Sequence, residues 1–265
     1  MSRRWVITGA TGGLGQAVLR VLPPGIEADC PALDLANPVM QADLRDISDG
    51  AEVLLHLAGL TDVSACDQKP LYAVQLHALS IGALAALPES RRPHVILMSS
   101  NDVLQPVNAY GRSKLLGEAI ALALGGCAVR AAFLSMRCNG KRPFLRYVVE
   151  GVRTGGSIPC YTDVLSNPIH VSTLAADIVR CAQERRRGVV HVASDVGLSR
   201  YDLALRLAHE LELPADGIVP VRLAELDPLK PLDVRITATA GFQYDFDGEV
   251  RKCLTEIRFV APESC

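Results

Sequence analysis

An excess of one charge is missing from this sequence. Lys and Arg number 27 against 29 Asp and Glu, a formal net charge of −2, so no basic field points to nucleic acid or an anionic membrane surface. The pair Arg3–Arg4 and the triplet Arg185–Arg187 are too short to alter that. Long apolar runs are missing too: none approaches the roughly 18–20 residues that span a bilayer. The opening MSRRWVITGATGGLG sets basic residues before an apolar stretch. Glycines interrupt that stretch after about four residues, too few for a signal peptide, and it reads as folded structure. The eight cysteines make no C-x-x-C and no zinc-like grouping, and the six histidines form no pair at helical spacing, so no metal is expected. Thiols inside apolar runs, such as Cys127 and Cys181, read as small buried hydrophobes, kept reduced in a cytoplasmic protein. Internal repeats and low-complexity linkers are absent as well.

What is present is ordinary globular material: 265 residues, 49% hydrophobic and 21% charged, enough for one large domain or a domain with an appended lobe. Short apolar runs alternate with amphipathic stretches. Strands are expected at Trp5–Thr8, Val53–Ala58, Val95–Met98, Ala128–Phe133 and Val189–Val192, with another within 26–35. Helices are expected over 14–22, 70–87, 109–124, 143–153, 172–184 and 199–212. Strands that are apolar throughout are buried on both faces, as in a parallel sheet covered by helices, so the fold class is a doubly wound α/β sheet. After about residue 213 the pattern weakens, and LPADGIVP and LDPLKPLD read as loops of an appended lobe.

The stretch WVITGATGGLGQAVLRVL is a strand, a glycine turn and an amphipathic helix in succession. Gly9, Gly12 and Gly15 fall at G-x-x-G-x-x-G spacing. That pattern suits a tight turn, backbone approach to a pyrophosphate and close helix–strand packing, with the helix N-terminus facing the phosphates. An acidic partner is expected about 20 residues on. Asp34, nineteen past Gly15, is one candidate and Asp43 is its rival. A carboxylate on the ribose favours NAD, whereas Arg45 nearby could hold a 2′-phosphate; NADH and NADPH both stay open.

A second constellation follows the run HVILM. Ser99 and Ser100 emerge at the carboxyl end of that strand, where ligands bind in such sheets. Tyr110 and Lys114 are spaced i, i+4 and share one helix face. A nearby ammonium favours the phenolate and lowers the phenol pKa, so the tyrosine can exchange a proton with a carbonyl or alcohol oxygen. A serine hydroxyl can hydrogen-bond the same oxygen.

At these residues the chain resembles the extended short-chain dehydrogenase/reductase family, through TGATGGLG, HLAG at 56–59, the strand-end serines and YGRSK at 110–114. Within it the chain is most similar to the dTDP-4-dehydrorhamnose reductases: LDLANP, YAVQLHALSIGALAAL, NAYGRSKLLGE, VRAAFL and SNPIHVSTLAADIV follow their pattern in order. The resemblance covers about residues 3 to 212. It implies a Rossmann-type core over 1–133, completed by about 166–192, and a smaller substrate-binding lobe within 134–265. It implies that Ser100, Tyr110 and Lys114 are catalytic. Cofactor contacts would come from Gly9, Thr11, Gly12, Gly13, Leu14, Gly15, Asp34, Leu35, Leu57, Ala58 and Gly59, and again from Tyr110 and Lys114. The implied substrate is a small molecule, a nucleotide-activated sugar or a related keto metabolite, handled by a possible homodimer. Net reduction of a keto group is the expected reaction. Epimerisation or dehydration on the same framework, or a non-catalytic regulatory subunit, are the alternatives.

The chain departs from the reductases in two places. They usually read S-T-D-Y-V-F after the strand, where this chain reads Ser99-Ser100-Asn101-Asp102-Val103-Leu104. The connection from Ser100 to Tyr110 is also shortened, to ten residues. Ten residues reach up to about 33 Å, so the trio can still close, but the substrate mouth above Tyr110 is expected to be open or covered by another chain. Among the remaining polar residues, His56 reads as core or cofactor-proximal, and His170 as either pocket-lining or packed. Arg137, Lys141 and Arg142 read as a solvated loop that could meet a diphosphate.

Overall fold

A computed structural model of the chain describes residues 3–137, 142–226 and 232–259. Each short apolar run becomes a strand whose side chains divide between two helical layers. Strand β1 (Arg3–Thr8) pairs with β2 (Ile26–Asp29) on one side and β3 (Val53–His56) on the other. Beyond β3 lie β4 (His94–Met98), β5 (Cys127–Arg130) and β6 (Gly188–His191), giving the order β2-β1-β3-β4-β5-β6 with every pair parallel.

Trp5, Ile7, Val53, Leu55, Ile96 and Met98 point to one face, into a core shared with helices α1 (Gly13–Arg20) and, further along the chain, Val171–Gln183. Their neighbours Val6, Leu54, Val95 and Leu97 point to the other face, against α2 (Pro38–Ser48) and a helical stretch, α3, over 70–86. This period-two division, buried on both sides, is why the strands read as uninterrupted apolar runs. The chain leaves β1 toward β2 and returns across it to β3. The crevice at the carboxyl ends of β1 and β3 is therefore the switch point where such sheets hold ligands.

Helix α4 (Ala109–Ala123) follows β4 and lies beside α3. The longer helices that follow are α5 (Phe144–Arg153), α6 (Val171–Gln183), α7 (Arg200–Glu210) and α8 (Phe246–Phe259). Leu145, Val149, Leu203, Leu207, Phe246, Val250, Cys253 and Ile257 join α5, α7 and α8 in a second core. A parallel pair, Ile158–Tyr161 with Ile218–Val221, packs beside it.

Several expectations need correction. The expected strand at 53–58 stops at His56, and Ala128–Phe133 divides into β5 and a two-residue strand, Phe133–Leu134. Between residues 26 and 35 only Ile26–Asp29 is strand. Helix α2 was not anticipated, although Asn37 caps it by accepting from Val39 N and Pro38 opens it. Nor was α8, whose stripe of Phe246, Val250, Cys253 and Ile257 carries helical spacing among charged neighbours. The expected helix over 70–87 is not uniform: Pro70–Val74 is α, Gln75–Leu79 is π, and Ala83–Ala86 is 3₁₀. Among the described residues, no helix is long and apolar enough to cross a membrane, and no group of three or more His, Cys, Asp and Glu could hold a metal ion.

Candidate active site

The glycine loop joins β1 to α1, and backbone crowding fixes it. Gly9 sits at φ +71°, and a Cβ there would lie 2.6 Å from Ala58 N, on the loop that follows β3. A Cβ on Gly15 would lie 2.3 Å from Gly9 O, and one on Gly13 would lie 2.5 Å from Arg137 O. Gly12 differs. Its φ of −73° suits any residue, and an added Cβ would come no nearer than 3.3 Å to Gly9 O. Three of these glycines therefore serve packing, and Gly12, the N-cap of α1, keeps the approach to the helix N-terminus clear. Thr11 is exposed on this loop and Leu14 is buried beneath it in the sheet core.

A buried histidine ties the two crevice loops together. His56, at the end of β3, accepts from Thr8 Oγ1 through Nδ1 at 3.0 Å and donates through Nε2 to Leu76 O at 3.2 Å. Thr8 Oγ1 in turn accepts from Ala58 N at 3.3 Å. Leu57 and Ala58 are half-buried and Gly59 is exposed at the crevice edge. Burial holds His56 neutral, with its pKa pushed down to about 3.

Asp34 lies exposed on the loop after β2, where its Oδ1 accepts from Ala36 N (3.2 Å) and from the Tyr72 hydroxyl (3.3 Å). Leu35 beside it is buried in the sheet's second core. The rival Asp43 is exposed within helix α2. Arg45 is engaged by its neighbour Asp46 at 2.7 Å.

The two serines after β4 part company. Ser99 is buried and donates to Glu118, which forms an ion pair with Arg130 at 2.6 Å. Ser100 caps a 3₁₀ turn, Asn101–Leu104, accepting from Asp102 N at 3.2 Å. Its hydroxyl lies close enough to the Tyr110 phenol to favour ionisation there. Tyr110 and Lys114 occupy the first turns of α4, which Asn108 caps by accepting from Gly111 N at 2.9 Å. Structure thus brings Ser100, Tyr110 and Lys114 together and leaves Ser99 to the scaffold.

The charge balance runs opposite to expectation. Burial, then Asp102, pushes the Tyr110 phenol far above its ordinary range, and only Ser100 opposes them. Burial also lowers Lys114 to about 8, and its ammonium donates to Met98 O at 3.0 Å. These surroundings favour the neutral phenol over the phenolate. The mouth also differs from expectation: Tyr110 is only 9% exposed. Its ring packs with Cys66 and Ala73, and Gln105 Oε1 accepts from Leu232 N at 3.2 Å, joining the short connection to the second lobe. Asn101 is buried with neither amide atom bonded, the kind of orphan a ligand or water completes.

Sequence reasoning passed over His77. It sits in the π turn of α3, accepting from Leu60 N at 3.0 Å through Nε2 and donating to Ser113 Oγ at 2.8 Å through Nδ1. Ser113 Oγ donates on to Tyr110 O, and the imidazole meets the Tyr110 ring edge-on at 5.8 Å. Burial brings His77 down to about 2. Only the irregular turn, invisible in a helical pattern, marks it. His170 is packed: it bonds Ser172 Oγ at 2.8 Å and Glu256 at 3.1 Å. Arg137 is exposed, Arg142 pairs with Glu150 at 2.5 Å, and Lys141 lies outside the described residues.

The two neutral histidines make a prediction about acid. Both have folded pKa values far below the usual 6.5, so the unfolded chain takes up protons that the folded one refuses. Stability is full above pH 6.5 and falls as the pH drops from there toward about 3, by about 2 kcal/mol per histidine at pH 5. Denaturant melts at pH 7 and pH 5 check this. His56→Asn and His77→Asn should each flatten the slope.

Crevice, glycine loop and trio, lying in one place, fit the class of extended short-chain dehydrogenases/reductases. Comparison with known families is more particular. The family described as RmlD substrate binding domain matches residues 3–231, and the chain belongs to that family. A probable low-salt glycan biosynthesis reductase of Haloferax volcanii is 25% identical, covering 83% of this chain and 84% of its own. A probable dTDP-4,6-dihydroxy-2-methyloxan-3-one 4-ketoreductase of Streptomyces antibioticus is 28% identical, covering 82% and 80%. In fold, the chain is similar to a dTDP-4-dehydrorhamnose reductase of Bacillus anthracis solved with NADP. The TM-score is 0.85 at 19% identity, covering 97% of this chain and all of that one (100%).

Proposed function

We propose that this protein is an NAD(P)H-dependent ketoreductase of a nucleotide-activated sugar. The observation that carries the reading is the placement of Ser100, Tyr110 and Lys114 at the carboxyl end of β4, next to the glycine-loop crevice. The names of the relatives support the substrate class. Gly12 and the start of α1 would hold the pyrophosphate, Asp34 the adenosine end, and Leu57–Gly59 the middle of the dinucleotide. Bound there, the reduced nicotinamide supplies a hydride to the carbonyl carbon.

Ser100 orients the carbonyl oxygen by donating a hydrogen bond. Tyr110 gives that oxygen its proton as negative charge builds on it. Lys114 stabilises the phenolate left behind and reaches the nicotinamide ribose. Residues 1–133, completed by about 166–192, form the dinucleotide-binding core, and most of 134–265 the substrate lobe. The protein works in the cytoplasm, as a homodimer.

The test is cofactor consumption with a dTDP-4-keto-6-deoxy sugar. One NADPH or NADH should be lost per alcohol formed, read as nicotinamide absorbance. Conversion without net loss would make the protein an epimerase or dehydratase, and cofactor binding without any conversion would favour a regulatory subunit.

A further inference from the structure

The chain beyond β5 comes back to the glycine loop. A Cβ on Gly13 would lie 2.5 Å from Arg137 O, so the turn Ser135–Arg137 borders the start of α1. Ser135 and Met136 are buried, and Ser135 Oγ accepts from Arg137 N at 3.0 Å inside the turn. The turn's other anchor stands 120 positions further along the chain from Met136. Glu256, on α8, accepts from Met136 N at 2.9 Å and from Ser135 Oγ at 3.3 Å.

His170 gives Glu256 a third donor. Its Nδ1 accepts from Ser172 N at 3.2 Å, which makes Nε2 the N–H side of the ring, 3.1 Å from Glu256 Oε2. Burial pushes the Glu256 carboxyl up, yet His170 and the Met136 N–H hold it below the ordinary carboxylate range. Hydrogen bonds to an ionised group are short and directional, so the turn is held in one place. Without the carboxylate, the Met136 N–H and the Ser135 hydroxyl would be buried unpaired, and the turn would have to move to find water. Arg137 O already touches Gly13, so such a shift would change the approach to the α1 N-terminus.

A second carboxylate on α8 has a separate task. Glu249 accepts from His170 N at 2.6 Å and from Thr173 Oγ1 at 2.8 Å. It docks α8 on the start of α6, whereas Glu256 reaches the turn.

We infer that Glu256 is a positioning residue for the dinucleotide: from α8 it holds the turn Ser135–Arg137 as an outer wall of the pyrophosphate site, and so sets cofactor affinity without touching the cofactor. Glu256 lies beyond residues 3–231, which the family match covers, so that match assigns it no role. The inference rests on the dinucleotide part of the reading above and not on the sugar.

The experiment is fluorescence titration of the full chain with NADPH or NADH, whichever the wild type binds more tightly. Melting temperatures are measured alongside, without cofactor. Glu256→Ala should bind the cofactor at least tenfold more weakly, while kcat at saturating cofactor stays within threefold. Glu256→Gln should stay within threefold of wild-type affinity, because its amide oxygen can still accept from Met136 N and His170 while its amide N–H donates to Ser135. Ser135→Ala, which keeps the fold should Glu256→Ala fail to, should bind at least threefold more weakly. The double variant should lose less than the product of the two single losses, since both residues hold one turn. Glu249→Gln is the contrast: its melting temperature should fall while cofactor affinity stays within twofold. Wild-type affinity in Glu256→Ala or in Ser135→Ala would overturn the inference, and so would a loss in Glu249→Gln as large as that in Glu256→Ala. A wild type that binds neither dinucleotide would remove the cofactor reading and the inference with it. Tight binding without turnover of a keto-sugar would remove only the substrate reading, leaving the affinities to decide this one.

Discussion

Tyr110→Phe is expected to lower turnover by about 10²–10⁴-fold, the usual contribution of a positioned general acid. At about 1.4 kcal/mol per decade, that is about 3–5 kcal/mol of transition-state stabilisation. The expectation follows from how Tyr110 is held. Its ring is buried against Cys66 and Ala73 and meets His77 edge-on, contacts that phenylalanine retains. Only the hydroxyl is lost, along with its approach to Ser100. Melting temperature and cofactor affinity should therefore stay close to wild type while kcat collapses. Lys114→Ala should behave differently. It removes a buried cation bonded to Met98 O beside Gly59, so both cofactor affinity and turnover should fall.

Gly12→Val is expected to remove dinucleotide binding while leaving the fold intact. At φ −73° valine is tolerated, and its Cβ meets only Gly9 O at 3.3 Å. The branched side chain then stands at the mouth of helix α1, where a pyrophosphate must reach the backbone N–H groups. For wild type, NADPH at a hundredfold excess over Kd should add about 2.7 kcal/mol of stability, and in Gly12→Val that increment should vanish. Gly9→Ala and Gly15→Ala serve as the contrast. Their added carbons fall 2.6 Å from Ala58 N and 2.3 Å from Gly9 O, so they should destabilise the protein even without cofactor. A Gly12→Val protein that still shows the full thermal shift would mean the pyrophosphate does not lie against α1.

The sheet was legible because its strands are buried on both faces. Val53–His56 and His94–Met98 stand out as apolar runs for that reason, and the glycine loop between β1 and α1 identifies the first unit. Tyr110 and Lys114 could be read from their spacing, since a capped helix fixes which residues share a face. The division between Ser99 and Ser100 could not, because it depends on Glu118, a residue of α4 that only the fold brings to the strand end. His56 and His77 were illegible as organisers for the same reason: each links elements that lie far apart in sequence. The direction of the Tyr110 shift was misjudged because a pattern shows a lysine one turn away but neither the burial nor Asp102, which raise the phenol pKa. Helix α8 was overlooked because its apolar stripe is narrow and set among Asp247, Glu249, Arg251 and Lys252.

Reduction by hydride transfer, with Tyr110 as the proton donor, is the claim on which the rest depends. Its most direct test uses NADPH carrying deuterium at the transferable C4 position and a dTDP-4-keto-sugar as acceptor. The product alcohol should carry one deuterium on the former carbonyl carbon for each cofactor oxidised, and Tyr110→Phe should slow its appearance by about 10²-fold or more. Product formed without deuterium, or label transferred at the wild-type rate in Tyr110→Phe, would contradict the account.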